Sequence, residues 1–162
     1  MRNLLFLPFA LLAAVAACAT PMAIAAEDAA APQSPIENCL VLATDDLDAQ
    51  RACIGRVATW CVENTPGGET TVGIIQCVHS EQMQWENVRA AEVAKMRAQE
   101  TPSQVALLNQ AITEQARWTE ARCAYEASIY EGGSLSRVIA AQCLRNAAAE
   151  HALYLRNRYS ED

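Results

Sequence analysis

The cysteines constrain this chain more than any other feature. There are seven, at Cys18, Cys39, Cys53, Cys61, Cys77, Cys123 and Cys143. The first falls inside an apolar N-terminal run, and the other six are spread over the rest of the sequence. No two of them form a Cys-x-x-Cys pair, so a thioredoxin-like redox site is not expected. They are spaced too widely for paired metal ligands, and His79 and His151 are the only histidines. No metal or other cofactor is expected. In a chain that leaves the reducing cytoplasm, six cysteines are a framework of three disulfides, for which fifteen pairings exist.

Export is itself legible. Met1-Arg2 gives a positive start, and Leu4 to Ala19 is an apolar run interrupted only by Pro8 and Cys18. Pro21 ends the run, and small residues follow at Ala23, Ala25 and Ala26. The run is too short and too alanine-rich for a membrane span. Residues 1–26 therefore read as a signal peptide cut near Ala25 or Ala26, residues 27–35 as an Ala/Pro-rich flexible linker, and residues 36–162 as the folded domain. A second reading stands beside the first. Val15-Ala16-Ala17-Cys18 is similar to a lipobox, in which Cys18 becomes a lipidated first residue and the protein is tied to a membrane. The protein is expected to be periplasmic or secreted, with a membrane anchor only if Cys18 is lipidated. Either cut leaves six cysteines.

Charge narrows the partners. The full chain has 12 basic and 19 acidic residues, and residues 1–26 remove one arginine and no acid. Eleven basic against 19 acidic residues leave a net charge of −8. That balance argues against nucleic acid or an anionic lipid surface and favours a basic partner, or acts only to keep the protein soluble.

The apolar spacing is helical throughout, with no strand pattern and no repeat. A short helix is expected over Ile36–Ala43. A second is capped at Thr44-Asp45-Asp46 and runs to about Glu63, where Asn64 to Gly68 stops it. A third, from Thr70-Thr71 to about Glu100, carries Ile75, Val78, Trp85, Val88, Val93 and Met96; Gly73 weakens its first turn. Thr101, Pro102 and Gln104 form a helix start with a capping box. The fourth helix carries Leu108, Ala111, Gln115, Trp118, Arg122, Tyr125 and Ile129, and Gly132-Gly133 ends it. Ser134 is expected to cap a fifth helix running to about Arg158. The expected fold is all-α, a small disulfide-stapled antiparallel bundle of about four to five helices.

Hairpin symmetry then selects one pairing. Cys123 and Cys143 each lie ten residues from Gly133, so they come level in an antiparallel helix pair. Cys61 and Cys77 are symmetric about Glu69, and Cys39 and Cys53 about Asp46.

The last two helices resemble a known family. Gln115-Ala116-Arg117-Trp118, Arg122-Cys123, Gly132-Gly133-Ser134 and Cys143 are similar to the pattern of the LprI-type lysozyme inhibitors, as is Trp85, eight residues beyond Cys77. The resemblance spans roughly Cys53 to Leu155. It departs after the last cysteine, where the family places Leu, Thr and Arg and this chain has Ala147, Ala148 and His151. It implies an exported, non-enzymatic binder that occludes a basic lysozyme-type glycosidase. The alternative is a structural or stress-related envelope protein without that activity.

Individual motifs have plainer readings too. Trp118 and Arg122 share a helical face; they are either a partner-binding anchor or, as expected, a core tryptophan with the arginine stem along it. Gln115 on the same face is expected to be satisfied within the packing. Gly132, Gly133 and Ser134 are either a plain turn or a tip that enters a partner's cleft. Pro66 to Thr71 lacks the Lys-Ser/Thr ending of a phosphate loop, and no catalytic motif is present.

Overall fold

Four helices begin where an N-cap side chain, at Ser34, Asp46, Thr70 or Thr101, satisfies free backbone N–H groups of the first turn. Among the described residues there are six helices: α1 (Pro35–Ala43), α2 (Leu47–Arg51), α3 (Arg56–Asn64), α4 (Thr71–Gln99), α5 (Pro102–Ser128) and α6 (Ser134–Arg156). The computed structural model describes residues 34–158, among which there is no strand. The leader, Cys18 and the linker through residue 33 lie outside the described residues.

Ser34 and Glu37 form a reciprocal capping box, with Pro35 in the first turn. α1 therefore starts one residue before the expected Ile36. Thr101 and Gln104 make the second capping box, as expected. Thr70 Oγ accepts from Gly73 N–H at 3.0 Å and opens α4.

Three boundaries differ from expectation, one being the end of α5, which comes at Ser128 and not at Gly132-Gly133 because Tyr130 and Glu131 already make turn bonds back to Ala127 and Ser128. The expected helix from Asp46 to Glu63 is broken into α2 and α3. Gly55 sits at φ +91°, a left-handed conformation that ends one helix and turns its N–H away to a distant acceptor. At the other end of the chain, Gly133 and not Ser134 is the cap of α6. Gly132, at φ +84°, reverses the chain one residue early, so Gly133 is the extended residue and Ser134 is already helical.

All three expected disulfides are present, with Cα separations of 6.0 Å for Cys39–Cys53, 5.6 Å for Cys61–Cys77 and 5.5 Å for Cys123–Cys143. Each closes a local hairpin. The long helices alternate in direction, so α4 and α6 run parallel with α5 antiparallel to both. Their register is constant: Glu81 meets Arg145 and Glu92 meets Arg156, each pair 64 residues apart.

The core sits between α4, α6 and α1. It holds Ile36, Leu40, Cys53, Trp85, Val88, Ala148, Ala149, Ala152 and Leu153. The alanines give α6 a nearly smooth face, which lets α4 close on it and puts most of the apolar volume on Trp85, Ile36, Leu40 and Leu153. A smaller cluster of Val93, Met96 and Leu155, with Leu108 and Ile112 against it, ties the start of α5 to the ends of its neighbours. The helical spacing expected along α4 is largely the buried one: Val78, Trp85, Val88, Val93 and Met96 are in the interior, and Ile75 is half-buried.

Candidate functional site

The α5–α6 turn projects from the bundle. Tyr130, Glu131, Gly132, Gly133 and Ser134 are all exposed. Tyr130 N–H donates to Ala127 O, Glu131 N–H to Ser128 O, and Gly133 N–H to Tyr130 O. Ser136 Oγ crosses the turn to Ala127 O at 3.0 Å. Behind the turn the Cys123–Cys143 bond joins the two helices. The result is a glycine tip with little side chain on a braced stem. A Cβ at Gly132 would meet nothing within 4 Å, so only its left-handed φ calls for glycine there.

Trp118 is not in the core. It is 60% exposed, and Tyr125 and Ile129 beyond it are exposed as well. The inward stripe of α5 is instead Leu108, Ile112, Gln115, Thr119, Cys123 and Ala127, half-buried or buried. The expected stripe drew residues from both faces. Gln115 does lie inward, half-buried, 3.5 Å from Thr119 Oγ1. Arg122 lies between the faces: its Nε is 3.5 Å from Glu126 Oε1, and its Nη2 points at Cys143 Sγ at 3.7 Å. The structure thus puts Gly132, Gly133 and Ser134 together at the tip, and leaves Gln115 and Trp118 on different sides of the stem.

Sequence reasoning missed the most buried polar group. Glu81 is fully buried on α4. Its Oε1 accepts from Gly55 N–H at 2.7 Å, Trp85 Nε1 at 3.2 Å and Arg145 Nη1 at 3.0 Å. Its Oε2 accepts from Ala58 N–H at 2.7 Å. Two of those donors are orphan N–H groups around the start of α3, where Gly55 provides no side-chain cap. One carboxylate therefore caps α3 from outside, holds the core tryptophan and pairs with α6. A glutamate on the apolar stripe of α4, four residues before Trp85, was the available signal. This arrangement is structural, with Glu81 wholly out of contact with solvent.

A second missed feature is an apolar groove of about 700 Å³ between α1 and α3, bordered by Ile36, Leu42, Val57 and Trp60. Leu42 and Trp60 on its rim are exposed. No cluster of three or more His, Cys, Asp or Glu among the described residues is placed to hold a metal ion.

The family model for the lysozyme inhibitor LprI matches residues 61–155, more than half of the chain. The chain belongs to the LprI lysozyme-inhibitor family. No curated protein and no solved structure matches it. The match starts at Cys61, later than the expected Cys53, so it takes in the Cys61–Cys77 and Cys123–Cys143 staples and leaves α1, α2 and Cys39–Cys53 outside. Glu81, Trp85 and Arg145 fall within it, while Gly55 and Ala58, which Glu81 caps, do not. Membership points to inhibitor-like function.

The departures from the LprI pattern have places in the fold. Ala147 and Ala148 are both buried, and Ala148 packs in the core with Trp85 and Val88 of α4. His151 is half-buried in a gap beside Glu86 and Arg89 of α4 and Gln115 and Thr119 of α5. Its imidazole is held below the ordinary range, first by burial and then by Arg89, with Glu86 pulling the other way. An arginine there would sit beside Arg89 and bring a permanent charge into the gap.

Among the described residues no helix is long and apolar enough to cross a membrane, and three disulfides fit an oxidising compartment.

Proposed function

We propose that the protein is exported to the periplasm or beyond and inhibits a basic lysozyme-type glycosidase by inserting the Gly132-Gly133-Ser134 tip into its cleft. The observation that carries this reading is the exposed glycine tip, braced by Cys123–Cys143, in a chain of the LprI family. A glycosidase needs open access to its paired carboxylates, so a rigid plug is sufficient to stop it. Rigidity matters because a floppy loop loses more entropy on binding. The excess of acidic side chains attracts a cationic enzyme over roughly a Debye length, about 8–10 Å at ordinary salt, which raises the association rate.

The test is lysis of a bacterial cell-wall suspension by lysozyme, with and without the oxidised protein. Slowed lysis is expected. Gly133 is at φ −105°, where any residue fits, so Gly133→Arg changes the tip and not the backbone. That variant is expected to inhibit at least tenfold less well with unchanged helix content. Failure of the wild-type protein to slow lysis removes the inhibitor reading. Equal inhibition by the variant removes only the choice of tip, and the Pro66 to Thr71 turn is then the next candidate. Mass spectrometry of protein from envelope fractions decides the N-terminus: a start near Ala26 or Glu27 means simple cleavage, and an acylated Cys18 means a lipid anchor.

A further inference from the structure

The outward face of α5 has a symmetry of its own. Leu107, Trp118, Tyr125 and Ile129 are exposed by 66%, 60%, 72% and 70%. Ala111 and Glu114 lie exposed between them, and Arg122 borders them with about a third of its side chain in solvent. At 100° per residue all seven fall within about 80° of the helix surface. They form one seam roughly 33 Å long at 1.5 Å per residue.

The seam is symmetric about Trp118. Leu107 and Ile129 lie eleven residues to either side, Ala111 and Tyr125 seven, Glu114 and Arg122 four. Each symmetric pair is also complementary: aliphatic with aliphatic, small with large aromatic, acid with base. An antiparallel copy of the same helix brings each of these residues level with its counterpart.

We propose that the outer face of α5 docks a second copy of this chain, antiparallel, with a two-fold axis passing at Trp118. Such an interface is isologous, so each favourable pair occurs twice. Trp118 stacks on its own copy, and two Glu114–Arg122 pairs flank it. In the single chain Glu114 is engaged by Arg117 at 3.1 Å and Arg122 by Glu126 at 3.5 Å. The first is an exposed contact three residues apart that costs little to exchange; in the second Arg122 Nε is itself out of solvent and stays in place, and a terminal nitrogen of the guanidinium turns to the other copy. The charges in the middle of the seam do not suit an apolar lipid phase. One helix face is smaller than a standard interface of about 800 Å² per partner, so the dimer is in equilibrium with the monomer, with a midpoint on the order of 10–100 µM.

Sedimentation of the oxidised protein between about 5 and 500 µM tests this. The average mass is expected to rise from one chain toward two. Trp118→Glu sets two carboxylates together at the axis and is expected to weaken association at least tenfold, with far-UV circular dichroism unchanged. Glu114→Arg alone faces Arg122 of the other copy, and Arg122→Glu alone faces Glu114, so each is expected to associate poorly. Mixed in equal amounts, they restore both pairs and are expected to regain dimer. A protein that stays monomeric at 500 µM overturns the proposal. So does a dimer that Trp118→Glu and Glu114→Arg leave intact, because it uses another face. If Arg122→Glu fails to fold, those two variants decide the matter by themselves. A seam that binds the glycosidase instead would give a monomer whose inhibition is lost in Trp118→Glu.

Discussion

Removing the Glu81 side chain strips four donors of their acceptor at once. Glu81→Ala leaves Arg145 buried without its carboxylate, although Arg145 Nε keeps Asn146 Oδ1 at 2.7 Å. Breaking a buried ion pair from one side typically costs about 3–5 kcal/mol. Gly55 N–H, Ala58 N–H and Trp85 Nε1 also lose their acceptor, and each orphaned donor that water cannot reach costs about 1–3 kcal/mol. These terms overlap as the site relaxes and admits water, so about 4 kcal/mol is the expected total. A domain this size has about 5–15 kcal/mol in all. The reverse deletion is milder. Arg145→Ala leaves Glu81 still accepting three N–H groups, and about 2–3 kcal/mol is expected. Urea unfolding of the oxidised proteins, followed by circular dichroism, reads both. At a slope of about 2 kcal/mol/M, Glu81→Ala moves the midpoint down by about 2 M. The reasoning fails if Glu81→Ala costs less than 1 kcal/mol, or if Arg145→Ala costs more than Glu81→Ala.

Three further outcomes follow from other parts of the molecule. Replacing Cys123 and Cys143 together by Ser opens a loop with a sequence separation of 20 and is expected to cost about 3 kcal/mol in the chain-entropy model, read in the same urea titration. Gly73→Ala would drive a Cβ into Gly67 O and Gly68 of the preceding turn, which is backbone and cannot swing away. A loss of about 2 kcal/mol or more in thermal unfolding is expected, against a gain from helix propensity if the contact were absent. His151 titrates below its ordinary 6.5 because burial and then Arg89 disfavour its charge. Its folded pKa is thus lower than its unfolded one, so its contribution to stability is complete above about pH 6.5 and declines as pH falls through the folded pKa. An NMR titration giving His151 a pKa above 6.5 would contradict this.

Local chemistry was legible in the sequence. Thr101 with Gln104 and the even spacing of cysteines about each turn act over a few residues, and the structure has them where the pattern puts them; the stop expected at Gly132-Gly133 comes earlier, at Ser128. The failures share a cause, which is that packing across the chain decided the outcome. On α5 the inward stripe through Leu108 and Cys123 and the outward stripe through Leu107 and Trp118 are a fraction of a turn apart. The packing of α5 on α6, pinned by the Cys123–Cys143 bond, selects between them. The break at Gly55 was hidden because a glycine alone is tolerated in a helix. What makes it a break is an acceptor on Glu81, 26 residues later. The tip residues could be named in advance. Their exposure could, too, from the turn, but not the bare aromatic seam beside them.

The two proposals place constraints on each other. The end of α5 at Ser128 is ten residues beyond Trp118, which is roughly 15 Å along the stem at 1.5 Å per residue, and the tip lies beyond it. A two-fold axis at Trp118 therefore sets the two helix ends roughly 30 Å apart along the stem at the same rise, with the tips beyond them pointing in opposite directions. Neither tip is covered by the other copy, so each remains free to enter a cleft. Inhibition is then expected at one glycosidase per chain, unchanged across the concentration range in which dimer replaces monomer. Dimerisation would add reach and not occupancy, because two enzymes or two neighbouring sites on a surface could be held at once. Titrating a fixed amount of lysozyme at protein concentrations below and above the sedimentation midpoint measures this. A stoichiometry that falls to one enzyme per two chains as dimer forms would mean that the seam and the tip compete for the same surface, and one of the two assignments would have to be abandoned.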